Sequence, residues 1–227
     1  MMIPLTITAH LHTPPIVRDP ILFDGVLMGG LGASMGAAEP SGWVDPEVVY
    51  AKRLPLEHVG RAGMWWYAAS QATPHGPEAT HHAHRRMPAE HYVRWTDERS
   101  TSFAAGPDKG LRVRLFTRPS MLAIRWTCVG NPTEIARLLT HVPGVGNRVR
   151  HGWGQVARWE VAEGGPGPGA YATDVWLRHI PVACSPHMPR QGREATSVAL
   201  KRLRPPYWGR ANTVECVFVP AIFEDPT

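Results

Sequence analysis

The segment NPTEIARLLTHV (131–142) constrains the fold most, because it carries a complete set of helix-start signals. Asn131 occupies the N-cap position, Pro132 the first helical position, and Glu134 follows the cap by three residues. The apolar side chains recur on one side of this helix, at Ile135, Leu138, Leu139 and Val142. The segment therefore predicts an amphipathic helix with one face on a core.

A glycine-rich basic run, VPGVGNRVRHGWGQV (142–156), follows this helix directly. Glycines let a loop approach a phosphate chain closely, arginines and histidines neutralise phosphates, and a tryptophan stacks on bases. The nucleic-acid contacts predicted in this loop are Gly144, Gly146, Asn147, Arg148, Arg150, His151, Gly152, Trp153 and Gly154. An ordinary helix-to-strand connection, with glycines that serve only tight turns, accounts for the run equally well.

Strands and helices alternate around this loop. Residues 3–12 alternate apolar and polar side chains as a half-buried strand does, and ILFDGVLMGGLG predicts a helix that begins near Ile21, with glycines that allow a neighbour to approach closely. The other predicted strands are GMWWYAASQA, GLRVRLFTR, SMLAIRWTCVG, GWGQVARWEVAE, DVWLRHIPVAC and ANTVECVFVPAIF, with a turn at RPS between the second and the third. This order predicts an α+β, ferredoxin-like (RRM-like) domain with both helices on one face of the sheet.

The predicted domain spans residues 1–163 and contains an irregular insertion at about 40–110. The flexible run GGPGPG (164–169) then leads to a C-terminal β extension, residues 170–227, packed on the domain. No apolar run approaches the roughly 20 residues that cross a bilayer. The three cysteines lie far apart in apolar strands, which favours core positions over disulfides or a zinc site. We expect a cytoplasmic protein without a membrane partner.

Arginine dominates the positive charge of the chain. The formal net charge is +5, and only three of the 24 Lys and Arg residues are lysines. Guanidinium groups suit phosphate and base recognition, although a GC-rich genome would also replace lysine by arginine. The nucleic-acid contacts predicted outside the loop are Arg85, Arg86, Arg112, Arg114, Lys201, Arg202, Arg204, Tyr207 and Trp208.

The last five of these residues share the segment KRLRPPYWGR (201–210). Its two prolines stiffen the backbone, so the aromatic rings would be presented to a base or to a partner protein with little entropy left to lose. A buried C-terminal wrap is the alternative structure for this segment.

The histidines raise two further hypotheses. The run HGPEATHHAHRR (75–86) is rich in imidazoles but lacks a helical ligand pattern and a clear carboxylate ligand, so we expect no metal and no other cofactor. Histidines also act as general acid and base in RNA cleavage. The candidates for that role are His10, His12, His141, His151 and His179. His10 and His12 share one strand face, and a merely polar exposed face accounts for them equally well.

In their order along the chain, several of these motifs resemble the RAMP superfamily of CRISPR effector proteins over about 200 residues. The motifs are TPPIV, ILFDGVLMGGL, WWYAASQA, the central strands, IARLLTHVPGVGNRVRHGWGQV and RPPYW. The chain is most similar to the type IV family Csf-three, whose members are Cas-five-like. Loops of this kind often have the sequence IGKRRSxGYG, whereas this chain has VGNRVRHGWG, with Asn147 at the first lysine position and Trp153 as the aromatic residue.

The resemblance implies a non-catalytic subunit that caps the 5′ handle of the CRISPR RNA with the glycine-rich loop. Its implied partners are a Cas-seven-like backbone subunit, the large subunit (Csf-one, Cas-eight-like) and, indirectly, target DNA near the PAM. The alternative is a Cas-six-like, metal-independent endoribonuclease that processes repeat RNA. The loop's distance from the C-terminus and the single set of ferredoxin-like elements argue against that enzyme.

Overall fold

The computed structural model describes residues 1–15, 20–35, 53–61, 63–75, 78–83, 116–147, 149–173, 177–184, 197–205, 207 and 213–218. The chain forms two compact units, one made of Met1–Pro77 with Met121–Thr227 and the other of Glu78–Ser120. The fold is mixed α/β, and the strand pairs that the structure describes with a register are all antiparallel.

The first unit contains most of the described elements. In chain order they are β1 (Ile3–Leu11), α1 (Phe23–Ser34), β2 (His58–Arg61), β3 (Met64–Tyr67), β4 (Thr73–Pro74), β7 (Ala123–Gly130), α2 (Pro132–Leu139), β8 (Val156–Glu163), α3 (Ala170–Thr173), β9 (Ile180–Pro181), β10 (Ser197–Arg202) and β11 (Thr213–Phe218). Short 3-10 turns lie at Val149–His151 and Val182–Cys184. In the second unit, β5 (Glu78–Ala83) pairs with β6 (Phe116–Met121), of which only the last residue is assigned to the first unit.

A four-stranded sheet, in the order β4-β7-β1-β8, organises the first unit. Strand β1 lies in its centre, with Leu5 opposite Cys128 on β7 and Glu163 on β8. The alternation predicted for residues 3–12 is confirmed, because Leu5, Ile7 and Ala9 are fully buried. These side chains form one core with residues of α1 and α2, so both helices pack on the apolar face of the sheet.

The two helices begin and pack largely as predicted. The Asn131 side chain accepts hydrogen bonds from the backbone N–H groups of Thr133 and Glu134, at 3.1 and 3.3 Å. Helix α1 begins at Phe23, two residues after the predicted start. A Cβ atom on Gly30 would lie 2.6 Å from the carbonyl oxygen of Leu138, so glycine is what lets α1 approach α2.

Three strand predictions need correction. The predicted turn at RPS is wrong, because β6 continues through Pro119 to Met121 and pairs with β5 rather than β7; a two-stranded sheet has only edge strands, where proline is tolerated. Of the predicted strand DVWLRHIPVAC, residues 174–176 lie outside the described residues, and the described part is a strand only at Ile180–Pro181, since Pro181 has no N–H to extend the ladder. Strand β10 was missed because its basic, proline-flanked sequence resembles a loop.

A third sheet, in the order β10-β11-β9, carries the C-terminal segment. Its core side chains are Ile180, Leu203, Cys216 and Val217, and they pack around the indole of Trp66. The C-terminal strands therefore share a core with the β2–β3 pair and belong to the same compact unit as the four-stranded sheet. This packing determines where the basic residues 201–204 lie.

Candidate functional site

The glycine-rich loop is closed at its base by backbone hydrogen bonds. The N–H of Val145 donates to the Gly154 carbonyl at 2.8 Å, and the N–H of Val156 donates to the Pro143 carbonyl at 2.9 Å. The segment after β1 supports the same base, because the N–H of Gly154 donates to the Pro14 carbonyl at 3.0 Å. The loop is therefore a two-stranded projection with a fixed base, and only its tip, residues 146–153, lies beyond these bonds.

Gly154 and Gly152 have different roles in this projection. Both adopt positive φ, +62° and +87°. A Cβ atom on Gly154 would lie 2.0 Å from the carbonyl oxygen of Val145, whereas one on Gly152 would meet nothing within 4 Å. Gly154 is thus required by the close pairing of the two backbone segments, and Gly152 only by its backbone conformation.

The tip presents polar and basic groups to solvent. Asn147, Arg150 and His151 are exposed, and the last two end the 3-10 turn at Val149–His151. Trp153 is half-buried. The exposed groups therefore lie where a phosphate chain can reach them.

A cleft of about 860 Å³ lies beside the loop. It brings together two segments that the sequence separates by more than 50 residues: the loop residues 144–147 and the basic segment around Lys201. Its lining residues are Pro20, Ile21, Leu22, Gly25, Val26, Gly29, Gln71, Val142, Gly144, Val145, Gly146, Asn147, His179, Leu200, Lys201, Arg202, Tyr207 and Thr213. Two cations and no Asp or Glu occur among these described residues, so the cleft is suited to an anionic ligand.

A buried ion pair holds the C-terminal side of the cleft. Arg178 and Asp24 are both fully buried, and Nη1 of Arg178 lies 3.4 Å from Oδ2 of Asp24. The same guanidinium donates to the carbonyl oxygens of Tyr67 at 2.6 Å and of Leu203 at 2.7 Å. The Tyr207 hydroxyl donates to the Asp24 carboxylate at 2.8 Å. One arginine therefore ties helix α1, strand β3 and the C-terminal segment together.

Burial shapes the ionisation of this network. Burial raises the pKa of Asp24, while the charge of Arg178 and the hydrogen bonds from Tyr207 and the Gly25 N–H oppose that rise. Burial also lowers the pKa of the neighbouring His179 to about 3, with the charge of Arg178 adding to the shift. The neutral His179 ring donates from Nε2 to the Arg202 carbonyl at 2.6 Å. Its role near neutral pH is thus to fix the backbone at Arg202.

The model of one protein family covers nearly the whole chain: the CRISPR type IV associated protein Csf3 (Csf-three) matches residues 3–220. The chain belongs to the Csf3 family. It is therefore a type IV CRISPR-associated subunit, and the predicted family is confirmed. No curated protein matches the chain.

In this Csf3-family chain, the structure gathers part of the predicted site. Gly144, Gly146, Asn147, Lys201, Arg202 and Tyr207 line the cleft. Arg150, His151, Gly152, Trp153 and Gly154 lie in the loop next to it. The remaining candidates Arg85, Arg86, Arg112, Arg114, Arg148 and Trp208 lie outside the described residues.

Arg204 lies inside the fold, although the sequence predicted a nucleic-acid contact for it. Its residue is 8% exposed, its Nη1 donates to the Trp65 carbonyl at 3.1 Å, and its guanidinium carbon lies 4.2 Å from the centroid of the Trp65 ring. These contacts favour a structural role, because a cation packed over an indole stabilises the local fold. The buried hydroxyl of Tyr207 is likewise bonded to Asp24, which leaves its ring to line the cleft.

Sequence reasoning missed the buried pair Asp24 and Arg178, and also Gln71, which lines the cleft. Asp24 lies in the first turn of α1, where the helix dipole by itself favours an acidic residue. Nothing in the sequence therefore indicated that Asp24 is buried. Arg178 lies in a segment whose sequence predicts a simple strand. Their pairing joins residues 154 positions apart, a separation that no local pattern reports.

The histidine candidates occupy different environments. Nε2 of His10 lies 2.9 Å from Oε2 of Glu160, and this contact holds the pKa of Glu160 below its usual range. His12, His141 and His151 are exposed, whereas His179 is buried. In the described ranges, no group of three or more His, Cys, Asp or Glu side chains is placed to hold a metal ion. The end of the histidine-rich run, residues 84–86, lies outside those ranges.

Two of the three cysteines occupy the core positions that the sequence predicts, whereas Cys184 is only partly buried and ends the 3-10 turn Val182–Cys184 instead of lying in a strand. Cys128 and Cys216 are fully buried, which confirms the prediction of core positions, and burial raises the pKa of Cys216 to about 11. Since a thiol with a raised pKa stays protonated near neutral pH, Cys216 is an inert core residue.

The helices of the described ranges are short. None of them is long and apolar enough to cross a bilayer.

Proposed function

We propose that this Csf3-family chain is the subunit that binds the 5′ handle of the CRISPR RNA in a type IV complex. The observation that carries the proposal is the cleft, in which the glycine-rich loop meets Lys201 and Arg202 with no acidic residue among the described lining. A cationic cleft next to a loop with a fixed base is suited to an RNA backbone, because phosphate contacts supply most of the affinity.

The strand order supports this assignment. A sheet ordered β4-β7-β1-β8 with two helices on one face is what a ferredoxin-like domain would have if β1, α1, β4, β7, α2 and β8 are its six elements in the split βαβ order, with β2–β3 inserted before β4 and β5–β6 inserted after it. We infer that the domain is a RAMP domain and that the loop between α2 and β8 is its RNA-binding element. On this basis, we also propose a Cas-seven-like backbone subunit and the large subunit as its protein partners.

Salt dependence tests the phosphate contacts. Arg150→Ala and Lys201→Ala should each weaken binding of a single-stranded repeat RNA and reduce the slope of log K against log salt by about 0.7 per lost contact. The control is Arg137→Ala, which removes the same charge from the exposed face of α2, where Arg137 pairs with Glu134 at 3.0 Å. An equal loss of slope in the control would mean that only net charge matters, and an unchanged slope in both test variants would mean that these residues do not contact phosphate.

Cleavage assays separate binding from catalysis. We expect the purified chain to bind labelled repeat RNA tightly in the presence of a metal chelator and to yield no product. The reason is that His179 is neutral and bonded to a backbone carbonyl, while His10 is paired with Glu160. Specific cleavage that disappears with His10→Ala or His151→Ala would instead support the Cas-six-like endoribonuclease. Copurification of a tagged chain with RNA and larger subunits tests the proposed partners.

A further inference from the structure

The cleft has one wall made by helix α1, and that wall is unusually open. Gly29 lies on the exposed side of the helix, lines the cleft, and a Cβ atom there would meet nothing within 4 Å. Gly25, one turn earlier, differs because its Cβ would lie 3.2 Å from the Tyr207 ring. Glycine within a helix costs about 1 kcal/mol of stability relative to alanine. Gly29 therefore destabilises α1, although no close packing contact requires a glycine at this position.

The side chains that line the cleft include both apolar and positively charged groups. Val26, Val142 and Val145 supply an apolar surface beside the glycines, while Lys201 and Arg202 supply positive charge. Gln71 is 4% exposed, and its hydrogen bonds within the described part of the chain run through its backbone, to the Leu177 carbonyl and from the Ser70 hydroxyl. Its side-chain amide, a donor and an acceptor, is thus left for whatever occupies the cleft.

The apolar, polar and cationic groups that line the cleft are complementary to a single nucleotide. A nucleobase is flat and apolar on its faces, carries donors and acceptors on its edge, and is linked to an anionic phosphate. The volume of about 860 Å³ lies within the range of pockets that enclose small organic ligands. A base within an RNA duplex has both faces stacked and its edge paired, so only an unpaired, splayed-out base can enter a cleft of this kind.

We propose that the cleft holds one unpaired nucleotide of the bound RNA, with its base against the Gly29 side of α1 and its phosphate between the loop and Lys201. The inference rests on the proposed RNA-binding function and adds a defined base subsite to it. Gln71 reads the edge of the base, and the glycines of α1 make room for it. The loop tip, with Arg150 and His151, holds the neighbouring phosphates.

Two bulky substitutions on the same helix test the subsite. Gly29→Phe would fill the cleft, whereas Gly32→Phe adds the same side chain at a position that also has nothing within 4 Å but does not line the cleft. We expect Gly29→Phe to weaken binding of the single-stranded repeat RNA by about tenfold or more, as the loss of one stacked base does, and Gly32→Phe to bind as the parent does. Equal binding by both variants would overturn the proposal.

An abasic scan of the RNA identifies the nucleotide without any change to the protein. Removing the base at one position should cost the parent chain about tenfold, and the same RNA should lose nothing further with Gly29→Phe, because the base and the open cleft form one interaction. Losses that multiply independently would place that base elsewhere. Crosslinking from 4-thiouridine at the same position should join the RNA to a peptide of α1, and crosslinks confined to other elements would contradict the subsite.

Binding of free mononucleotides distinguishes an RNA subsite from a pocket for a soluble nucleotide. Mononucleotides that bind the parent but not Gly29→Phe, while binding of the RNA chain is unchanged, would show that the cleft serves a free nucleotide and would overturn the RNA assignment. If Arg150→Ala weakens RNA binding but Gly29→Phe does not, the RNA-binding function stands and the base subsite fails. If the parent binds no RNA at all, both proposals fail.

Discussion

Replacing Arg178 with methionine is expected to lower the free energy of unfolding by about 3–5 kcal/mol, because it leaves the Asp24 carboxyl group buried without its cationic partner. The substitution also removes the donors to the Tyr67 and Leu203 carbonyls, both of which are enclosed by the fold. Denaturant unfolding of the purified chain, with the midpoint and the slope fitted separately, measures the effect.

The matched control for this prediction is Arg137→Met. Arg137 also pairs with an acidic side chain, Glu134, at 3.0 Å, but both groups are about half exposed, so the loss should be at most about 0.5 kcal/mol. A double variant, Asp24→Leu with Arg178→Met, should recover part of the stability, because it removes the buried charge together with its partner. Similar small losses for Arg178→Met and Arg137→Met would contradict the buried ion pair.

The second large effect is expected at Gly154. Gly154→Ala should destabilise the fold by about 3 kcal/mol, since a left-handed conformation costs a non-glycine residue about 1–2 kcal/mol and the forced separation from the Val145 carbonyl adds a comparable amount. A Cβ atom at Gly152 meets open space, so Gly152→Ala should cost only the free energy of placing alanine in a left-handed conformation. The pair of variants thus separates the steric contribution from the backbone contribution.

Unfolding free energies and RNA affinities of the two alanine variants check this prediction. Gly154→Ala should reduce both, because it opens the paired base from which the loop projects. Gly152→Ala should leave the base intact and have the smaller effect on stability. If the order of the two variants were reversed, the pairing of residues 143–145 with 154–156 would not be what fixes the loop.

Local patterns in the sequence are sufficient to predict the helices and strands that carry this site. The cap at Asn131, the apolar face of α2 and the alternation in β1 each report interactions between residues close in the chain, so they could be predicted. The turn at RPS is a wrong prediction because proline is a common turn signal, while the two-stranded β5–β6 sheet accommodates it. Strand β10 was missed because its basic, proline-flanked sequence resembles a loop.

Helix caps, strand alternation and the glycine preference for positive φ are properties of neighbouring residues, so the amino-acid order alone predicts a basic, glycine-rich loop between a capped helix and a strand. The packing of distant segments is what places residues 144–147 and Lys201 in one cleft, Arg204 inside the fold against Trp65, and Arg178 next to Asp24 from 154 residues away. Burial is the reason why these positions could not be predicted from the sequence. Whether a charged side chain faces solvent or a buried partner depends on how distant segments pack, and charge patterns along the chain carry no record of that packing.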